Sequence, residues 1–229
     1  MERFMNRRHA GQFLAQRLSR YADGADVMVL ALPRGGVPVA YEIAHLLHVP
    51  LDVLVVRKIG VPWNEELAVG AVASGGTRVL DLPLIKQLRI HPGDIEQIIT
   101  DETRELARRE RVYREGRPWP DLRGRRVILV DDGLATGASM RAAVNAVRQQ
   151  SPRQVIVATP VASVDAYHTM RAIADVCVAL LIPEPLYGVG MYYQDFSQTT
   201  DGEVVTLLRQ AAQETVPTPV RTAVPVDAS

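Results

Sequence analysis

Two adjacent carboxylates, Asp131 and Asp132, follow four apolar residues, Val127 to Val130. After them comes a turn of small and hydroxyl residues, Gly133-Leu134-Ala135-Thr136-Gly137-Ala138-Ser139. A buried strand, two acids at its carboxyl end and a turn leading into a helix form a divided site. In open α/β sheets, ligands bind beyond the carboxyl ends of the strands. Ala135, Thr136, Gly137, Ala138 and Ser139 let an anion approach the backbone, and the helix start offers free N–H groups and a positive dipole end. The acids at the other end suit hydroxyls or a divalent cation. A ribose 5-phosphate, with an anion at one end and a diol near the other, satisfies both. The turn is not a P-loop, because Ala138 stands where Lys is required. It is not a dinucleotide fingerprint either, because carboxylates replace the glycines. An ordinary helix cap accounts for one Asp, not for the whole string.

Other segments carry weaker chemistry. Arg34-Gly35-Gly36 lies between an apolar run and a helix. Its glycines expose backbone N–H groups and Arg34 offers a fork for paired phosphate oxygens; taken alone it reads better as a plain strand-to-helix turn. Arg57-Lys58 closes the next apolar run, and Lys58 is one of two lysines among 26 basic residues. Tyr187 to Phe196 is the only aromatic-dense stretch of a chain that is 5% aromatic, and suits either a flat ring or a small hydrophobic cap. Glu65 and Glu66 are as consistent with surface charge as with a ligand role. The five histidines do not cluster, and His45 and His48 read as structural or surface residues. Cys177 reads as a small buried hydrophobe.

These residues need a scaffold, and the patterning supplies one. Helices are expected from Arg8 to Tyr21 (with Phe13, Leu14, Leu18 and Tyr21 on one face), Val39 to Leu47, Ala138 to Gln149 and Asp165 to Ala174. A long charged helix carries Ile95, Ile98, Ile99, Leu106, Val112 and Tyr113 and stops before Pro118; its charged side is a solvated face or a subunit contact. Strands are expected over Val27 to Leu32, Leu51 to Val56, Val127 to Val130, Val155 to Ala158 and Val176 to Leu181. Between Val61 and Asp81 the pattern is less regular. Continuous apolar strands alternating with helices indicate a Rossmann-like α/β fold, a parallel sheet covered on both faces. The chain has 229 residues, 47% hydrophobic and 23% charged, with 26 basic and 26 acidic side chains. A zero net charge argues against a nucleic-acid binder. One cysteine and no zinc-ligand spacing indicate a cytoplasmic protein with no metal site of its own. The start has no apolar signal run, and the longest apolar run is far short of the about 20 residues a membrane span needs. From 213 to 229 the chain is small, Pro-containing and unpatterned, and is expected to be disordered.

The string Asp131 to Ser139 resembles the phosphoribosyl-diphosphate (PRPP) motif of type I phosphoribosyltransferases, closest to the adenine-type version. The likeness to a bacterial subgroup of that family extends over roughly residues 2 to 210. It implies the family's fold over 1–212, with a small C-terminal hood at about 183–200. It implies that Asp131 and Asp132 hold the ribose hydroxyls and that Ala135 to Ser139 wrap the 5-phosphate. Arg34, Gly35 and Gly36 would form the pyrophosphate loop, and Arg57 and Lys58 would face the pyrophosphate. The hood would cover the base, with Tyr187, Val189 and Tyr193 as contacts, although one extra residue separates its glycine from its aspartate. Residues 60–76 fall where the family has a mobile catalytic loop, without matching the adenine or orotate loops. Hypoxanthine-guanine members carry a catalytic Asp where Ala135 stands here. The resemblance further implies Mg²⁺ bound through PRPP or pyrophosphate, an unidentified base as acceptor, and a homodimer. Two rival functions remain: a PRPP-binding sensor without turnover, and a metal-dependent phosphatase using the two Asp residues.

Overall fold

Alternation within the apolar runs decides which side chains meet which helices. The computed structural model describes residues 3–214, apart from the side chains of Glu65 and Glu66. Its elements are α1 (Arg7–Arg17), β1 (Val27–Ala31), α2 (Gly36–Leu47), β2 (Leu51–Val53), β3 (Val56–Val61), β4 (Asn64–Ala73), β5 (Thr77–Leu80), α3 (Leu82–Gln87), α4 (Pro92–Arg114), β6 (Arg126–Val130), α5 (Ala138–Arg148), β7 (Gln154–Val161), α6 (Val164–Ile173), β8 (Val176–Leu181) and α7 (Asp201–Glu214). Five strands form a parallel sheet in the order β2-β1-β6-β7-β8. On one face Val27, Val29, Ile128, Val130 and Ile156 join a core with α1, α2, α4 and α7. On the other, Met28, Leu30, Val127, Leu129 and Val155 pack with α5 and α6. A one-residue slip of any central strand would exchange these faces, so register is strongly set. Among the described residues, no helix is long and apolar enough to cross a membrane.

That register places the chemistry. Ala31 of β1 pairs with Val130 of β6, and the Leu32 N–H donates to the Val130 carbonyl at 2.8 Å. Residues 33–36 and 131–132 therefore leave the sheet side by side. Beyond β7, Leu134 bridges to Ala162, and the Ser163 hydroxyl donates to the Ala135 carbonyl at 2.7 Å. The same hydroxyl caps α6 by accepting from the Ala166 N–H.

Four sequence expectations change. The run Leu51 to Val56 is not one strand. β2 ends at Val53, and β3 starts a separate antiparallel sheet ordered β3-β4-β5. Burial continues through Leu54 and Val55, so an apolar pattern carries no mark of the change of direction. The junction is fastened by Ser74, whose hydroxyl accepts from the Val55 N–H at 2.9 Å and whose N–H donates to the Val55 carbonyl at 2.9 Å. The irregular stretch after Val61 is a two-residue turn, Pro62-Trp63, followed by the long strand β4. Phe13 lies outside the helical apolar stripe at 43% exposure, beside the rings of Phe4 and His9. Finally, the sequence reading places no element beyond the hood, yet α7 buries Val204, Leu207, Leu208 and Ala211, spaced as one helical face. α7 runs to Glu214, past the expected boundary at 212; the rest of the expected tail, 215–229, lies outside the described residues.

Candidate active site

The acid pair is held from several sides. Asp131 Oδ1 accepts from the Asp132 N–H at 2.9 Å. Asp132 Oδ2 accepts from Arg7 Nε at 2.8 Å, between side chains only 16% and 11% exposed. Among the described residues, none donates to Asp131 Oδ2 or Asp132 Oδ1. One oxygen of each acid is thus occupied and one is open, a pattern that suits two neighbouring hydroxyls. Burial and the neighbouring Asp132 raise the Asp131 carboxyl well above the usual range. Burial also raises Asp132, but the Arg7 guanidinium opposes this and favours its ionised form.

The 33–36 loop presses on the pair. A Cβ on Gly35 would lie 2.0 Å from Asp132 Oδ2, and one on Gly36 would lie 2.6 Å from the Val130 carbonyl oxygen. No larger residue fits either position without moving the acids or the strand end. The Pro33–Arg34 peptide is cis. Arg34 is 40% exposed and stands 3.8 Å from Asp201 at the start of α7. Asp201 also accepts from the Tyr113 hydroxyl at 2.7 Å; burial and that bond push the phenol up to about 12.

On the other side of the pair the 135–139 turn opens to solvent. Ala135, Thr136 and Ser139 are exposed. Gly137 precedes α5 with φ +70°, a left-handed conformation that other residues adopt only under strain. Thr136 Oγ1 accepts from the Ala138 N–H at 3.4 Å. A cavity of about 410 Å³ joins this helix start to the ribbon of β3, β4 and β5, lined by Ala138, Arg141 and Asn145 from α5 and by Lys58 from β3.

Two groups of expected site residues have protein partners of their own. Arg57 and Lys58 share a second cavity of about 490 Å³ with Asp101 and Glu102 of α4, and there Arg57 Nε bonds Glu102 at 2.5 Å. Arg57 is thus tied to an acid of α4. In the hood, Val189 packs on Gly133, where an added Cβ would lie 2.3 Å from Val189 Cγ1. Tyr193 is 2% exposed, stacks on Phe196 with ring centroids 5.0 Å apart, and donates its hydroxyl to the Asp132 carbonyl at 2.6 Å. It braces the acid pair from inside the hood. Tyr187 is 80% exposed, its ring turned largely to solvent. Glu65 and Glu66 fall on β4, with side chains outside the described set. Cys177 lies on β8, partly buried, and burial pushes its thiol up to about 11. No group of three or more His, Cys, Asp or Glu among the described residues could hold a metal ion.

Sequence reasoning missed Arg7. It sits 125 positions from Asp132, in an N-terminal segment whose one visible signal is the Asn6 cap that starts α1. It also missed that the hood is built from two ends of the chain. The Phe4 N–H donates to the Tyr192 carbonyl, and the Phe4 carbonyl accepts from the Gln194 N–H, both at 2.8 Å.

A family model described as the phosphoribosyl transferase domain matches residues 3–194. Two curated relatives, each named "Putative phosphoribosyl transferase" and from two strains of Mycobacterium tuberculosis, are 42% identical over 214 residues. The match covers 93% of this chain and 48% of each relative, so the chain spans about half their length. The crystal structure of TT1426 from Thermus thermophilus superposes with a TM-score of 0.81 at 45% identity, covering 91% of this chain and 98% of that one.

Proposed function

The chain belongs to the phosphoribosyl transferase family, and on that premise we propose that it transfers the 5-phosphoribosyl group of Mg-bound PRPP to a nitrogenous base, releasing pyrophosphate. The observation that carries this reading is the acid pair with one open oxygen on each carboxylate, set between a glycine loop and a helix start. Asp131 Oδ2 and Asp132 Oδ1 would accept from the two ribose hydroxyls. The backbone of residues 135–139 and the start of α5 would take the 5-phosphate. Arg141, in the first turn of α5, stands where a cation opposes the helix dipole unless an anion lies nearby, which fits a phosphate in that turn.

In the reaction a nitrogen lone pair of the base forms a bond to C1. The C1–oxygen bond breaks and its electron pair leaves with pyrophosphate. Positive charge gathers on the sugar and negative charge on the leaving group, so positioning and charge neutralisation supply the rate. Mg²⁺, carried in on PRPP, would supply part of the charge neutralisation of the pyrophosphate. Arg34, Lys58 and the backbone of Gly35 and Gly36 would hold that group, joined by Arg57 once it parts from Glu102. With Ala135 in the turn, no side chain at that position takes the proton of the base, which would pass to water or to the departing pyrophosphate. Val189 and Tyr187 would line the base side, while Tyr193 supports the acid pair. Cytoplasmic location and a homodimer remain part of this proposal.

The test is thermal stabilisation by Mg–PRPP against ribose 5-phosphate, pyrophosphate and ATP, then pyrophosphate release with a panel of bases. A ligand at one hundred times its dissociation constant stabilises by about 2.7 kcal/mol. A shift specific to Mg–PRPP with base-dependent pyrophosphate release is the expected result. No shift in folded protein overturns the reading. A second reading, a PRPP sensor without turnover, is favoured by the Arg57–Glu102 pair, which keeps one cation off the leaving group. Binding with no pyrophosphate release for any base would select it.

A further inference from the structure

We propose that Arg7 is a positioning residue for the sugar diol, fixing which oxygen of Asp132 meets the ligand and tying that choice to the docking of the hood. The inference rests on the ribose reading of the acid pair. Its geometry is independent of the motif, because Arg7 lies at the far end of the chain.

Asn6 caps α1 by accepting from the His9 N–H, which makes Arg7 the first helical residue. From there the guanidinium reaches three groups on two other segments. Its Nε donates to Asp132 Oδ2, its Nη1 donates to the Ser197 carbonyl at 2.7 Å, and its carbon lies 3.9 Å from the centre of the Phe196 ring. Gly35 lies against the same carboxylate from the loop side, nearest Oδ2: an added Cβ would be 2.0 Å from Oδ2 and 3.1 Å from Oδ1. With Oδ2 closed on both sides, Asp132 can offer a ligand only Oδ1. A half-turn of the carboxylate only exchanges two equivalent oxygens, whereas any partial rotation would break the Arg7 bond, so a hydroxyl meets one acceptor in a defined position and plane. Asp131 needs no such device, because the neighbouring N–H already occupies its Oδ1.

The fork shape matters. A guanidinium can donate from Nε and Nη1 to two acceptors in fixed relative directions, and a lysine ammonium cannot reproduce that arrangement. Because Ser197 belongs to the hood and Asp132 to the sheet edge, one side chain sets the spacing between them. The main-chain bonds of Phe4 and Met5 to residues 192–195 anchor the segment from which Arg7 projects.

The prediction concerns discrimination between sugars rather than overall affinity. Calorimetric dissociation constants would be measured for ribose 5-phosphate, its 2-deoxy and 3-deoxy analogues, and inorganic phosphate. The proteins are the wild-type chain, Arg7→Met and Arg7→Lys. The wild-type chain should prefer ribose 5-phosphate over each deoxy sugar by about tenfold, the scale of a hydrogen bond to a charged group. Arg7→Met should collapse one of the two ratios towards unity, leaving the other ratio and inorganic phosphate affinity within about twofold. Arg7→Lys should give an intermediate ratio. A purely structural role would lower the melting temperature or change all ligands together. Folded Arg7→Met with both wild-type ratios overturns the proposal. If Arg7→Met does not fold, Arg7→Lys with both wild-type ratios does the same. Failure of the ribose reading looks different: the wild-type chain itself would not distinguish ribose from the deoxy sugars, and the role of Arg7 would fall with it.

Discussion

The carboxyl edge of the parallel sheet and the antiparallel ribbon are built to different standards. At the sheet edge every pairing from Val27–Arg126 to Ala31–Val130 is in regular register, and the acids beyond it are tied by Arg7, Tyr193 and a backbone N–H. In the ribbon the register between β3 and β4 shifts twice, around Gly60, and Arg57 is paired with Glu102 of α4. The edge is organised before any ligand arrives. In the ribbon Arg57 is already committed to an acid, and on the proposed function it would have to leave Glu102 to meet a ligand. On the proposed function, sugar recognition would belong to the regularly paired region, and charge neutralisation of the leaving group would draw on the irregular one.

The strongest way to break this division is at the edge. Replacing Asp131 and Asp132 together by Asn should lower Mg–PRPP affinity by on the order of 100-fold or more and abolish turnover, read by calorimetry and pyrophosphate release. Near-normal binding would mean that the edge is not the sugar site. In the ribbon, Arg57→Met should reduce turnover by about 100-fold while changing PRPP affinity far less, because its effect is realised as charge develops. Equal losses in both quantities would erase the distinction between the regions. Glu102→Gln should act in the opposite direction and tighten pyrophosphate binding by roughly threefold to tenfold, since it removes a negative charge from the cavity and releases Arg57.

A smaller effect separates the regions without any ligand. The Asp131 carboxyl is raised in the folded chain, so the folded state holds that proton more tightly than the unfolded state. Stability from this group is complete below the unfolded value of about 3.9 and is lost as pH rises towards the folded value. Asp131→Asn should therefore raise the neutral-pH melting temperature by about 2–4 °C per kcal/mol of relieved cost, and the gain should vanish near pH 4. Scanning calorimetry at the two pH values checks this, and a destabilised variant at pH 7 would contradict it. The smallest effect is at the other sheet edge. Cys177, with its thiol near 11, should react only slowly with maleimide at pH 7 in the folded protein.

Much of this was legible in the sequence because its signals were local. Four apolar residues, two acids and a turn of small residues specify a strand, its end and a helix start within one short stretch, and β6 and α5 bear this out. Glycines 35 and 36 were legible as a turn, but their closeness to Asp132 and Val130 is a property of sheet register. What stayed hidden was relational. Arg7 has no sequence neighbour that points to Asp132. The break between β2 and β3 falls inside an unbroken apolar run. α7 follows an aromatic segment whose pattern suits a cap, although its own four buried residues carry the helical spacing.

The Ser74–Val55 fastening makes the ribbon a lever with a pinned fulcrum. Both of its long strands, β3 and β4, leave and return through that one point. Lys58 is three residues from it, about 10 Å along the strand, and Trp63 at the tip is eight residues away, about 26 Å. Any swing of the ribbon is therefore magnified between them by a factor set by chain length alone. A swing would carry the exposed indole through an arc more than twice that of the lysine beside α5.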